Sequence, residues 1–310
     1  FFFVLYALHK AHDPAIDHTE EPMDFAFLNT MVRSPRFPPN DPWLAGHAVS
    51  YYYLGYLTIA LVGRLAGVPM ALAYNLGLGH TLALTVTGAY GVIWGVLRAR
   101  RKGRDATAHA VGIVGGVGLG LAGNGVGLLE ALRARGLLAT DLAHWFGVPG
   151  LADAAPTGSW LPDGHWWWWR ASRVIADVNI LGKAPTVITE FPAFSLILGD
   201  LHPHVMALPY LVLGIGIAAA LYTWGADGGP RGWGAWACLG VATLSLGALG
   251  FVNTWELPTG IALGALGFVG GRLRGGAARG RAWRDGAFLG GGLLAAAILL
   301  YLPFYRGLST

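Results

Sequence analysis

Residues 205–224, VMALPYLVLGIGIAAALYTW, run for twenty positions without a charged side chain. A segment of that kind reads as a membrane-crossing helix. About 20 apolar residues at the helical rise cover the hydrocarbon core, and a helix satisfies its own backbone polar groups where no water can. Working outward, further apolar runs fall at 71–97, 106–123, 233–251, 259–271 and 286–303. The 310-residue chain is 54% hydrophobic and 12% charged, half the roughly 25% charge of an ordinary soluble domain. A soluble enzyme, a disordered chain and a nucleic-acid binder are therefore excluded. The formal charge of +4 sits in short arginine clusters between apolar runs, the distribution that membrane topology produces. Cys238 alone supplies no disulfide and no multi-thiolate metal site. The composition specifies an all-α, polytopic transmembrane helix bundle, a multi-pass integral protein of the cell membrane.

The basic clusters set the expected topology. Arg98, Arg100, Arg101, Lys102 and Arg104 form one, and Arg272, Arg274, Arg279, Arg281 and Arg284 the other. The positive-inside rule places both on the cytoplasmic side. Counting from them makes 71–123 two spans, 124–204 an extracytoplasmic loop and 205–303 four spans. The short turn Asp227–Arg231 is then cytoplasmic, and Glu256 lies outside. Residues 1–8, FFFVLYAL, read as the end of a cut transmembrane helix, so 1–310 is expected to be a single truncated membrane domain. The region 9–70 is then an extracytoplasmic loop plus one helix. Its apolar stretch 49–67 carries four tyrosines at one end and Arg64 near the other, groups that settle at headgroup level. An interfacial or re-entrant helix fits the count; a true span with a cytoplasmic first loop is the alternative. Gly112, Gly116 and Gly120 recur at the spacing that lets helix backbones approach closely.

In a chain this poor in charge, the acids are informative. Asp13, Asp17, Glu20, Glu21 and Asp24 lie within twelve residues. Pro22 can start a helix, which puts Glu21 and Asp24 on one side of its first turn. Asp13, Asp17 and Glu20 fit a solvated loop. Asp24 adjoins Phe25-Ala-Phe27-Leu28, where a carboxylate is costly unless something pairs with it. Arg33 and Arg36 either hold a phosphate or pair with these acids. Trp166–Trp169 with Arg170 and Arg173 suit an aromatic belt whose arginines meet a lipid phosphate or snorkel to water. Glu190 and then Asp200-Leu-His202-Pro-His204 follow. Proline favours an extended residue before it, so the two imidazoles point the same way. Asp200, His202, His204 and Glu190 are candidate ligands for a divalent metal ion, or members of an interfacial hydrogen-bonded cluster.

Five motifs carry a family resemblance: Glu21-Pro-Met-Asp24-Phe-Ala-Phe-Leu-Asn29, Phe37-Pro-Pro-Asn-Asp41-Pro-Trp43, Tyr51-Tyr-Tyr53-Leu-Gly-Tyr56, Ile188-Thr-Glu190-Phe-Pro192 and Gly199-Asp-Leu-His-Pro-His204. Over about residues 20–260 the chain resembles a prokaryotic family of uncharacterised membrane proteins named for its Tyr-Tyr-Tyr motif, whose members are longer. More distantly, the layout is similar to the GT-C superfamily of membrane glycosyltransferases. That likeness implies an extracytoplasmic active face, a first-loop carboxylate as base, a polyprenyl-phosphate-type sugar donor, and a second acidic motif that helps bind a divalent metal.

The expected function is thus extracytoplasmic glycosyl transfer from a lipid-phosphate-linked sugar, with membrane lipids as surroundings. Asp24 or Glu21 acts as base; Arg33, Arg36, Arg170 and Arg173 meet phosphate; Glu190, Asp200, His202 and His204 line the pocket. Two alternatives stand. A multi-pass transporter or lipid flippase asks for ionisable groups within spans, where His80 and Asn75 are the main polar residues. A non-catalytic envelope-assembly scaffold asks for none of the acids.

Overall fold

The computed structural model describes residues 1–100, 105–163, 167–175, 177–184, 187–229 and 231–308. Arg101, Lys102 and Arg104 of the first basic cluster, Trp166 of the tryptophan run and Pro230 of the 227–231 turn lie outside them. Among the described residues every regular element is a helix, apart from one antiparallel bridge between Asn40 and Ala48. In chain order the first five are α1 (Phe2–Lys10), α2 (Glu21–Arg33), α3 (Leu54–Leu65), α4 (Met70–Arg100) and α5 (Asp105–Leu121). Then come α6 (Val126–Ala134), α7 (Thr140–Phe146), a short 3-10 helix (Trp167–Ser172) and α8 (Pro192–Leu198). The last five are α9 (Pro203–Ala226), α10 (Gly232–Val252), α11 (Glu256–Arg274), α12 (Arg279–Leu300) and α13 (Leu302–Gly307).

Among the described residues four helices are long and apolar enough to cross a membrane: Met70–Ala99 of α4, and α9, α10 and α12. The sharply bent pair α5 and α6 makes a fifth if it counts as one span. The run 259–271, expected as a further span, is the core of α11, which is not among these four. Glu256 begins that helix and Arg272 and Arg274 end it, so charge and glycine dilute its apolar stretch. The stretch 49–67 forms α3, only twelve residues long. At about 1.5 Å per residue it is too short to cross. Its tyrosines, read as headgroup anchors, turn into the protein instead. Tyr53 and Tyr56 are buried, and Tyr53 packs edge-on against Phe251 with centroids 4.6 Å apart.

The chain divides into two compact units, Phe1–Gly116 with Gly199–Thr310, and Val117–Leu198. In the first, Leu221, Leu246, Leu249, Ile261, Phe268 and Leu293 form a buried cluster from α9, α10, α11 and α12. Lipid tails are as apolar as leucine, so helix association in a membrane depends on close van der Waals approach. The α9–α11 contact shows how that approach is reached. Gly267 and Gly271 on α11 and Gly275 at its C-cap fall four apart and lie against the backbones of Ala218, Tyr222 and Ala226 on α9. A Cβ at Gly267 would sit 2.5 Å from the Ala218 carbonyl oxygen. The glycines noted in α5 do similar work, Gly112 against Tyr90 and Gly116 against Val86.

The second unit covers most of the stretch expected as an extracytoplasmic loop, and it has a core of its own. Val126, Leu138, Ala143, Leu151 and Ala171 are buried together. The buried Arg133 guanidinium donates to the carbonyls of Ala154 (2.8 Å), Ala152 (2.9 Å) and Leu138 (3.0 Å), which ties irregular backbone to α6.

Gly271→Ala is expected to lower stability by about 1–3 kcal/mol, the usual cost of overpacking. Gly292→Ala, where a Cβ meets nothing within 4 Å, is expected to be neutral or slightly stabilising. Thermal unfolding in one detergent checks both.

Candidate functional site

The first turn of α2 begins the site. Pro22 starts the helix, and Glu21 and Asp24 occupy its first turn, where acids also meet the positive end of the helix dipole. Both side chains turn inward and are 0% exposed. A buried carboxylate must be paired or protonated, and the two take different routes. Glu21 is paired: Lys10 Nζ, at the end of α1, donates to its Oε1 at 2.7 Å. The backbone N–H groups of Asp17 and His18 donate to Oε2 at 3.1 and 3.2 Å. One carboxylate thereby winds the α1–α2 loop around itself.

Asp24 lacks such a set. The Tyr56 hydroxyl donates to its Oδ1 at 2.6 Å, and Oδ2 has no hydrogen-bond partner among the described residues. Burial pushes the Asp24 carboxyl up to about 8. The Tyr56 bond opposes this rise, and the neighbouring carboxylates of Asp200, Glu20 and Glu21 add to it. The tyrosine motif and the acidic motif thus meet at one hydrogen bond.

The segment 199–204 closes over the same place. Gly199 has φ +81°, and a Cβ there would lie 2.5 Å from Glu21 Oε1 and 2.8 Å from Lys10 Nζ. Both facts demand glycine. Tyr74 on α4 donates its hydroxyl to the Gly199 carbonyl (3.1 Å) and accepts the Leu201 N–H (3.2 Å). Thr19 Oγ1 donates to Asp200 Oδ1 at 2.7 Å, and His202 Nε2 lies 3.2 Å from Glu20 Oε2. His202 is extended and caps α9, while Pro203 opens that helix. His204 is therefore helical rather than extended. The two rings still meet, Nδ1 to Nδ1 at 2.6 Å, so at least one of the facing nitrogens carries a hydrogen.

The other expected site residues are exposed or already engaged. Arg33 is exposed and lines a cavity of about 460 Å³ with Phe25, Asn29 and Thr30 on α2; Arg36 is exposed. Arg170, Arg173 and Glu190 belong to the second unit. There Arg170 makes a two-pronged bond to Glu130 (2.7 and 2.8 Å), so its guanidinium is committed to a buried carboxylate. Arg173 stacks on Trp169, 3.6 Å from the ring centroid, and bonds the Ser172 hydroxyl. Burial lowers its pKa, against the opposing Glu190 carboxylate. Ser195 donates to Glu190 at 3.0 Å.

For the expected metal ion, the donors do not converge. The two histidine Nδ1 atoms face each other and Asp200 Oδ1 accepts from Thr19. The His/Cys/Asp/Glu atoms that do gather, within 4.8 Å of one another, are those of Asp17, His18 and Glu21. Of these Glu21 is taken by Lys10 and two amides. The residues present are thus not arranged as an open ligand set.

Lys10, Thr19 and Tyr74 were not expected. Lys10 had a signal, as the one lysine or arginine in the first 32 residues, facing five carboxylates. Tyr74 had a weaker one, because a buried tyrosine hydroxyl seeks a partner. Thr19 had none.

With this geometry in place, the chain can be compared with known proteins. The profile of an uncharacterized membrane protein family (DUF2298) matches residues 1–310. The chain belongs to the DUF2298 family. No curated protein and no solved structure matches it. Family membership and the apolar helices together make this DUF2298 chain an integral membrane protein.

Two outcomes follow. Lys10→Met strands the buried Glu21 charge and is expected to cost about 3–5 kcal/mol of stability, read as a lowered melting temperature in detergent. Asp24 ionises at 3.8 when unfolded and at about 8 when folded, so the folded state holds the extra proton between those values. Its contribution to stability is full below 3.8 and is lost as pH rises through about 8. A pH series of melting temperatures is expected to fall across that window for the wild type and to be flatter for Asp24→Asn.

Proposed function

We propose that this DUF2298 protein is a membrane glycosyltransferase that moves a sugar from a polyprenyl-phosphate-type donor to an acceptor hydroxyl at the extracytoplasmic face. Asp24 is its general base. One observation carries the reading. A carboxyl group is wholly buried, poised at about 8, held on one oxygen by Tyr56 and, among the described residues, without a hydrogen-bond partner on the other. A base works best when its pKa lies near the working pH, and burial is the usual means of raising a carboxylate to that range.

In the proposed step Asp24 Oδ2 takes the acceptor's hydroxyl proton as that oxygen bonds to the anomeric carbon. The bond from that carbon to the phosphate oxygen breaks, and the electron pair leaves with the lipid phosphate. Arg33 supports the phosphate side, since it lines a cavity on the helix that carries Asp24. Arg36 is a further candidate, whereas Arg170 is committed to Glu130. Glu21, the alternative base, is fully paired and acts as a positioning residue. Asp200, His202 and His204 shape the rim beside Glu20 and Thr19. The resemblance to GT-C enzymes supports the reaction class by architecture alone.

The test is sugar transfer by the protein in proteoliposomes that contain a polyprenyl-phosphate sugar and membrane acceptors. Asp24→Asn is expected to lose roughly 10²–10⁴-fold of the rate with its helical content intact. Tyr56→Phe removes the bond that favours the ionised carboxyl, so the rise of activity with pH is expected to move to higher pH. Unchanged transfer in Asp24→Asn would sink the mechanism.

A further inference from the structure

A groove of about 1170 Å³ runs between α4 and α9, larger than the roughly 300–1,000 Å³ of a small-molecule site. Its walls are the small residues of two candidate spans, with Gly88, Gly91 and Gly95 on α4 and Gly216 and Ala220 on α9. A Cβ at Gly88 or Gly216 would meet a side chain, Val212 at 3.0 Å and Val92 at 3.3 Å, but none of these glycines lies against backbone. A Cβ at Gly91 or Gly95 meets nothing within 4 Å, whereas one at Gly267 would meet backbone at 2.5 Å.

The groove's charge lies at one end. The candidate span in α9 stops at Ala226; Asp227 follows it and lines the groove, as does Arg274 at the close of α11. Both are exposed. Arg274 reaches the Tyr222 hydroxyl at 3.4 Å with its guanidinium 5.9 Å from that ring's centroid. Neither residue forms an ion pair with a described residue. One acid and one base thus share the mouth of an apolar groove where two spans end.

We infer that this groove binds a phosphatidylethanolamine-type lipid. Its phosphate is held by the Arg274 guanidinium and its ammonium by Asp227, with the acyl chains laid along the glycine wall. The charge pattern selects this occupant. An anionic head answers Arg274 but is opposed by Asp227. A choline head carries both signs but offers Asp227 no N–H donor, and charge-assisted N–H bonds are the strong ones. The inference is independent of the proposed reaction, because it uses none of the residues around Asp24.

The test reconstitutes the protein into nanodiscs of equal phosphatidylethanolamine, phosphatidylglycerol and phosphatidylcholine. Lipids retained after detergent extraction are then counted by native mass spectrometry. Retention of phosphatidylethanolamine is expected to exceed that of the other two by about tenfold, a difference of ~1.4 kcal/mol. Arg274→Gln and Asp227→Asn each remove that preference. Gly91→Leu, at a position where a Cβ meets nothing within 4 Å, narrows the groove and lowers retention of all three. Equal retention by the wild type, a preference for phosphatidylglycerol, a preference unchanged in both charge variants, or unaltered retention in Gly91→Leu would each overturn the assignment.

Discussion

The structure around Asp24 depends on one buried ion pair. Lys10 and Glu21 sit almost entirely out of water, where an unpaired charge would be far too costly to keep. Their bond joins the end of α1 to the start of α2, and the remaining oxygen of Glu21 gathers two amides of the intervening loop. Gly199 passes close over this pair because it has no side chain. That passage sets Asp200 beside Thr19 and His202 beside Glu20. Three separate stretches of chain are thus fastened at a single charge contact.

Against that fixed pair, the environment of Asp24 differs in kind. Its neighbour three residues away is neutralised by a lysine, and Asp24 is left with one tyrosine hydroxyl. Two acids on one helical turn therefore diverge, one a structural counter-ion and the other a group that keeps a proton near neutrality. Environment rather than residue type divides the roles. The same contrast separates the glycines. On α11 they let backbones touch, while Gly91 and Gly95 on α4 leave open space, so glycine content alone says nothing about which surface is a seam and which is a groove.

Much of this was legible in order along the chain. The apolar runs and their approximate bounds follow from the absence of charge, since only helices can carry such segments through a bilayer. That Glu21 and Asp24 share one side of a first helical turn follows from Pro22 and the helical repeat. For 49–67 the parity count favoured an interfacial or re-entrant helix over a span, and the helix there is only twelve residues long. The weaker readings failed for a shared reason. Arg170 was read by its charge and its tryptophan neighbours, but its partner Glu130 lies forty residues away. Tyrosines were read as outward anchors, but Tyr56 found a buried acid. The region 124–204 was read as a loop by counting spans from the basic clusters, a count that carries no information about packing, and its apolar residues form a core of their own.

Composition and periodicity determined that this is a helical membrane protein and which short motifs hold its few polar groups, because those properties depend on neighbours within a turn or two. Tertiary structure alone decided which acid is paired and which stands poised, since burial and charge pairing depend on residues brought from elsewhere in the chain. Lys10 reaches Glu21 from the preceding helix, Tyr56 reaches Asp24 across thirty-two positions, and Thr19 reaches Asp200 across 181. No local pattern encodes those distances.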